Sequence, residues 1–274
     1  MSQNQRFASI TGCGQGSIGE ALVKEYFARG LHAIATLLPF EKSDHPDEAG
    51  ITWFKLDVTS EQSIIDLKHE LDILTKGYLD VLVNCAGIAY TMTAIDTDVQ
   101  AVEKMFQVNV IGPMRMVHHF HGNFIRASGV IVNIGSVGGI VPYMYGSSYN
   151  ATKASLHHWS NTLRLEMSPL SVRVVTIISG EVGTNILKSD NLRELPEGYF
   201  YAPLKEEFKA HVQRTVKGAT DRFDYARNVV AQSLRSSPKA WLWYGGSAGI
   251  DSMFYRQFKL NKVKKAYPAS SKQV

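Results

Sequence analysis

What most constrains this chain is the recurrence of short, unbroken apolar runs separated by longer amphipathic segments. The runs are Phe7–Thr11, His32–Leu38, Thr52–Leu56, Val81–Asn84, Val130–Ile134, Arg173–Ile178 and Trp241–Tyr244. A strand with one wet face alternates apolar and polar residues. Val81-Leu82-Val83 and Val130-Ile131-Val132 do not alternate, so they predict strands covered on both faces, as in a parallel sheet between helical layers. The segments between them read as helices. One is predicted over Ile18–Arg29 and stops at Gly30. A second opens at Thr59-Ser60-Glu61-Gln62, read as a capping box, carries the stripe Ile64, Leu67, Leu71 and Leu74, and ends at Gly77. Thr97-Asp98-Val99-Gln100 opens a third. Asn150–Met167, stopped by Pro169, and Asp221–Ser236, stopped by Pro238, complete the set. Repeated strand–helix–strand units cross over right-handed and build an α/β, doubly wound parallel sheet. At 274 residues and 45% hydrophobic the chain can bury a sizeable core. It shows no repeat and no linker, so residues 1–274 read as a single domain with its core in 7–244.

Two places carry chemistry. After the first run comes Thr11-Gly12-Cys13-Gly14-Gln15-Gly16-Ser17-Ile18-Gly19, then a helix. Glycines let the backbone approach a pyrophosphate, and the helix start offers unpaired N–H groups and the positive end of a dipole. Farther on, Tyr149 and Lys153 lie one turn apart on one helix face, with Ser136 thirteen residues upstream at the end of an apolar run. A nearby ammonium favours a phenolate and is expected to lower the Tyr149 pKa from its usual value of about 10. Tyr149 could then exchange protons near neutral pH. Tyr-x-x-x-Lys alone is equally a half-buried tyrosine beside a solvated lysine.

Taken in order, the glycine turn, Asn84-Cys85-Ala86-Gly87, Asn109, Ser136 and Tyr149-x-x-x-Lys153 resemble the short-chain dehydrogenase/reductase family, from Phe7 to about Tyr244. The longer glycine turn, with Ser17 before Ile18-Gly19, is closest in style to acyl-dihydroxyacetone-phosphate and 17β-hydroxysteroid reductases. The resemblance implies a Rossmann-type fold and a nicotinamide cofactor. It assigns cofactor contacts to Gly12, Gly16, Ser17, Ile18, Gly19, Asp57, Val58, Asn84, Ala86, Gly87, Val182 and Thr184, as well as to Tyr149 and Lys153. It makes Ser136, Tyr149, Lys153 and Asn109 the catalytic set, with Asn109 kinking its helix and holding a relay water. Cys85 replaces a usual Asn, and Ser179-Gly180 replaces a usual Pro-Gly.

An acid at the tip of the second strand would select NAD. Here the strand ends Thr36-Leu37-Leu38-Pro39, so NADP is expected over NAD, with Lys42 the nearest cation and Glu41 opposing it. Segment 183–218 breaks the strand–helix rhythm and reads as a lid over the substrate. Tyr90, Met92, Val141, Tyr143, Met144, Tyr145, Leu187, Leu192, Tyr199 and Phe200 are its expected walls. They suit a bulky apolar ketone or secondary alcohol, steroid-, polyketide- or acyl-like. A non-redox isomerase or cyclase using bound NADP as a scaffold, and a cofactor-sensing binding protein, are the alternative functions. His118, His119 and His121 diverge around a helix and are expected to bind no metal. His157 and His158 are expected at a subunit interface, in a homo-dimer or homo-tetramer. The balance of 29 basic and 25 acidic residues gives +4. The excess lies partly in a basic tail, about residues 259–274 (Lys259, Lys262, Lys264, Lys265, Lys272), read as solvated, with no nucleic-acid partner. With no membrane-length apolar run, no signal-peptide core, and only Cys13 and Cys85, a cytoplasmic protein is expected.

Overall fold

The computed structural model describes residues 5–186, 193–198, 200–213, 218–246 and 248. The seven apolar runs form seven strands: β1 (Phe7–Ile10), β2 (His32–Leu37), β3 (Thr52–Lys55), β4 (Val81–Asn84), β5 (Val130–Ile134), β6 (Arg173–Ser179) and β7 (Trp241–Tyr244). All pair in parallel, in the order β3-β2-β1-β4-β5-β6-β7. The order reverses between β1 and β4, and the strand ends beside that break leave a crevice where such sheets bind ligands.

Unbroken apolar strands work here because alternate side chains feed two cores. Val81, Val83, Val130 and Val132 face one layer, with Leu22 and Tyr26 of α1 (Ile18–Ala28) and Tyr225 and Val229 of α8 (Arg222–Ser233). Leu82 and Ile131 face the other. There they meet Leu67 of α3 (Glu61–Thr75), Phe120 and Phe124 of α5 (Gly112–Ala127), and Leu163 of α6 (Ser147–Met167). Each such buried side chain contributes about 1.5–3 kcal/mol relative to its exposed state. The polar tip of the buried Tyr26 is satisfied by the Ser233 hydroxyl at 2.6 Å.

Helix starts follow the expected residue types, with shifts in register. Ser17 caps α1 by accepting from Glu20 N at 3.0 Å. α3 is capped by Ser60, not Thr59, because Thr59 is already committed: its N–H and hydroxyl both donate to Asp57 Oδ1, at 2.9 and 2.7 Å. α4 (Val99–Phe106) is capped by Asp98, and α6 starts at Ser147, three residues before the expected Asn150. Short α2 (Asp44–Glu48) and α7 (Lys205–Val212) were not anticipated.

The mid-chain helix is two helices. α4 and α5 are joined by a π-helical turn, Gln107–Ile111, which holds Asn109. Segment 183–218 carries α7, and its Leu195, Phe208 and Val212 pack on Met92 and Tyr145 as a small separate core. Among the described residues no helix is long and apolar enough to cross a membrane. The basic tail lies outside the described residues.

Candidate active site

The glycine turn is packed against the loop that follows β4. Thr11 Oγ1 accepts from Cys85 N at 2.9 Å and Ala86 N at 3.0 Å, tying the tips of β1 and β4 together. Gly12 has φ +72, and a Cβ there would come within 2.7 Å of Ala86 Cα, so only glycine allows this approach. A Cβ on Gly19 would lie 2.3 Å from Gly12 O. Ser17, Ile18 and Gly19 open α1, whose first N–H groups lack acceptors within the helix. The crevice fits a dinucleotide pyrophosphate through its glycine backbone and the helix start at its end, with the side chains of Glu41 and Asn185 lying against Gly14 and Gly16.

One group sequence reasoning missed is Glu20. Its buried carboxylate accepts from Gly16 N at 2.7 Å and pairs with Lys24 at 2.7 Å and Arg222 at 3.8 Å. Burial pushes its pKa up, but the Lys24 and Gly16 hydrogen bonds outweigh that and hold it below the usual carboxylate value. Asn185 is another, its Nδ2 donating to Gln15 O at 3.0 Å and so linking the start of segment 183–218 to the glycine turn. Neither belongs to a motif; each is visible only once the chain is folded.

The other expected cofactor residues surround this crevice. Asn84 Nδ2 donates to Asn133 Oδ1 at 2.8 Å, and Asn133 in turn donates to Ser160 at 2.8 Å, bracing β4, β5 and α6. A Cβ on Gly87 would sit 3.4 Å from Asn109 Oδ1 and 3.9 Å from Lys153 Nζ. Asp57 is held by Thr59 and by Ser63, while Val58 is buried in the second core. Val182 bridges to Thr220, and Thr184 Oγ1 accepts from Ile186 N at 3.5 Å. At the β2 end, Glu41 Oε2 accepts from Leu38 N at 2.7 Å, and its carboxylate fills the place a Cβ on Gly14 would take.

Ser136, Tyr149 and Lys153 converge at the tip of β5. Lys153 is 6% exposed; its Nζ donates to Ile134 O at 2.8 Å and stands 5.7 Å from the centre of the Tyr149 ring. Ser136 faces the phenol, and its Oγ accepts from Gly138 N at 3.1 Å. The expected lowering of the Tyr149 pKa is corrected here: burial pushes it up to about 12, the Ser136 hydroxyl pulling only part-way back. Lys153 itself is brought down to about 8, chiefly by burial, against a small opposing effect of Cys85. Burial disfavours the charged form of each, which raises the phenol and lowers the ammonium.

Asn109 is 1% exposed. Its Oδ1 accepts from Ile88 N, and its Nδ2 donates to Ile88 O and to Thr152 Oγ1, at 2.9, 2.9 and 3.1 Å. The kink is the π turn. Both amide hydrogens are used by the protein, leaving the second Oδ1 lone pair as the side chain's place for a relay water.

A cavity of about 190 Å³ is lined by Thr93, Ala94, Tyr143, Met144, Tyr145, Ser147 and Tyr201, and Tyr143 also packs against Gly138 in the loop that carries Ser136. Met92 is buried beneath segment 183–218, and Tyr90 lies under Arg193, whose guanidinium is 3.9 Å from the ring centre. Val141 is half-buried and Phe200 largely exposed. Leu187, Leu192 and Tyr199 lie outside the described residues. Among the described residues no three His, Cys, Asp or Glu side chains gather as metal ligands do; His119 pairs with Glu61 at 3.0 Å instead.

The short chain dehydrogenase family model matches residues 6–195. The chain belongs to the short-chain dehydrogenase family. It is 64% identical to the short-chain dehydrogenase virD of Hypocrea virens, over 100% of this chain and 99% of that one. It is 38% identical to the NADPH-dependent 1-acyldihydroxyacetone phosphate reductase of Schizosaccharomyces pombe, over 74% of this chain and 70% of that protein. Among solved structures, the closed form of a serine dehydrogenase complexed with NADP+ superposes with a TM-score of 0.73 at 27% identity, over 89% of this chain and 96% of that one. These short-chain dehydrogenase matches bear out the family resemblance and the doubly wound, Rossmann-type sheet.

Proposed function

We propose that the protein is an NADP-dependent oxidoreductase that interconverts a ketone and a secondary alcohol on a bulky apolar small molecule, steroid-, polyketide- or acyl-like. The observation that carries this is the convergence of Ser136, Tyr149 and Lys153 at the tip of β5, with the Lys153 ammonium close to Gly87 of the glycine crevice. A bound nicotinamide supplies or accepts the hydride.

The chain's own residues handle the rest. With its pKa near 12, Tyr149 is a protonated phenol at neutral pH, the form that donates to the oxygen of a ketone being reduced. The Ser136 hydroxyl accepts from Gly138 N and is hydrogen-bonded to the phenol, from where its proton can turn to that same substrate oxygen. Lys153, anchored to Ile134 O, keeps a cation beside the phenol ring and orients the ribose. Asn109 holds the Gly87–Ile88 backbone against α6 and offers one lone pair to a proton-carrying water.

NADP is supported by the names of the Schizosaccharomyces relative and of the NADP+-bound serine dehydrogenase, and by a β2 that ends without an acid. The Glu41 carboxylate, which lies against Gly14, would have to swing aside for a 2′-phosphate to sit beside Lys42. Like its family resemblance, the reading makes the protein a single-domain, cytoplasmic homo-oligomer.

The test is loss of reduced-nicotinamide absorbance with NADPH or NADH and a panel of bicyclic, steroidal and β-ketoacyl ketones. Wild type consumes NADPH with at least one of them, faster than NADH. Tyr149→Phe loses about 10²–10⁴-fold in kcat while NADPH binding, read by fluorescence, persists. Undiminished turnover in that variant rejects the mechanism, and NADPH binding without turnover of any ketone rejects the redox assignment.

A further inference from the structure

His157 is a buried titratable group that the short-chain dehydrogenase set leaves unused. His157 lies one turn beyond Lys153 on α6, yet it is 4% exposed and faces inward, not toward the expected subunit interface. The Ser136 N–H donates to its Nε2 at 3.1 Å. We propose that His157 is a positioning residue for Ser136, acting as the hydrogen-bond acceptor that sets where the serine hydroxyl points; the proposal rests on the oxidoreductase reading.

Three observations carry it. The first is a missing backbone acceptor. The ladder between β5 and β6 ends with Gly135 N donating to Ile177 O at 2.8 Å. Ser136 is the next residue, and its amide bonds to the imidazole where a strand would have supplied a carbonyl. The second is the shape of the loop. A Cβ on Gly135 would lie 2.3 Å from His157 Nε2, and one on Gly139 would lie 2.5 Å from His157 Cε1. The serine-bearing loop can close on the ring only because both positions are glycine. The third is that α6 grips this loop twice: Lys153 Nζ holds Ile134 O and His157 Nε2 holds Ser136 N, one helical turn apart.

Acceptance at Nε2 requires the neutral ring with its proton on Nδ1. Burial, aided by the Lys153 cation, holds the imidazole pKa down at about 4, so this tautomer persists at neutral pH. His157 Nδ1 meets no acceptor among the described residues, so the ring's only hydrogen bond there is the one to Ser136.

The experiment compares His157→Leu, which removes the acceptor, with His157→Gln, whose carbonyl can replace it, each in wild-type and Ser136→Ala backgrounds. His157→Leu lowers kcat about tenfold, the order of one hydrogen bond, with NADPH affinity unchanged. His157→Gln restores most of the loss. With Ser136→Ala already present, His157→Leu costs nothing more. An equal cost in both backgrounds means a merely structural role and overturns the proposal.

Two readouts need no turnover, so they separate this proposal from the functional one. Imidazole ¹⁵N resonances report the Nδ1-protonated tautomer at neutral pH. Hydrogen exchange of the Ser136 amide is slow in wild type and His157→Gln and fast in His157→Leu. An Nε2-protonated ring, or an amide indifferent to both substitutions, overturns the proposal even if a ketone substrate has been found. Failure of every ketone, with the tautomer and exchange as stated, overturns the oxidoreductase reading alone.

Discussion

Replacing Thr11 by Val tests how the cofactor crevice is held together. Thr11 is buried at the tip of β1, and its Oγ1 is the shared acceptor for Cys85 N and Ala86 N. Valine keeps the shape and removes the acceptor, stranding two backbone donors. An unmet buried donor costs about 1–3 kcal/mol. Cys85 and Ala86 are half-buried, which favours the lower half of that range, so the pair costs roughly 2–4 kcal/mol. At about 2–4 °C per kcal/mol for a chain near this size, the melting temperature falls by about 4–16 °C. Thr11→Ser is the control: it keeps the hydroxyl and loses one methyl, about 1 kcal/mol. Thermal unfolding followed by circular dichroism, with NADPH fluorescence titration alongside, measures both effects. NADPH binding weakens with Val and survives with Ser, because residues 84–87 lose their anchor only in the first. If the valine variant melts no lower than the serine variant, the hydroxyl is not what joins the β1 and β4 tips.

Gly12→Ala drives a Cβ into Ala86 from a positive-φ position; NADPH binding weakens more than about tenfold by titration, with the fold retained by circular dichroism. Acid stability follows His157: its folded pKa of about 4 lies below the usual 6.5, so the unfolded chain binds the extra proton and stability falls as pH drops from about 6.5 toward 4. Urea unfolding across that window shows a shallower fall in His157→Gln; parallel curves would refute the assignment.

The strands were legible to within one residue at each end, because an unbroken Val/Ile run has few alternatives in a chain that also carries helix caps. The site motifs were legible for a similar reason: Gly12 and Lys153 are demanded by local chemistry that spacing exposes. What stayed hidden depends on burial and on contacts distant in sequence. Nothing near Tyr149 in the sequence says that burial will raise its pKa. Thr59 looked like a cap until Asp57 claimed its hydroxyl, and His157 looked like an interface residue until the Gly135 and Gly139 backbones closed on its ring. The π turn also escaped, since Gln107–Ile111 has no composition that distinguishes it from ordinary helix.

That widened turn has a consequence for which changes in length the chain tolerates. One residue more than a regular helix lets Asn109 face Ile88 and Thr152 while α4 and α5 each stay in phase with their own surroundings. Removing a single residue from 107–111 would restore a regular helical turn, so Met116, Phe120 and Phe124 would keep their places in the second core while Asn109 lost its hold on Ile88 and Thr152. The same deletion one turn later, in the regular part of α5, would rotate everything downstream by about 100°. The fold would survive the first loss and only the site would change.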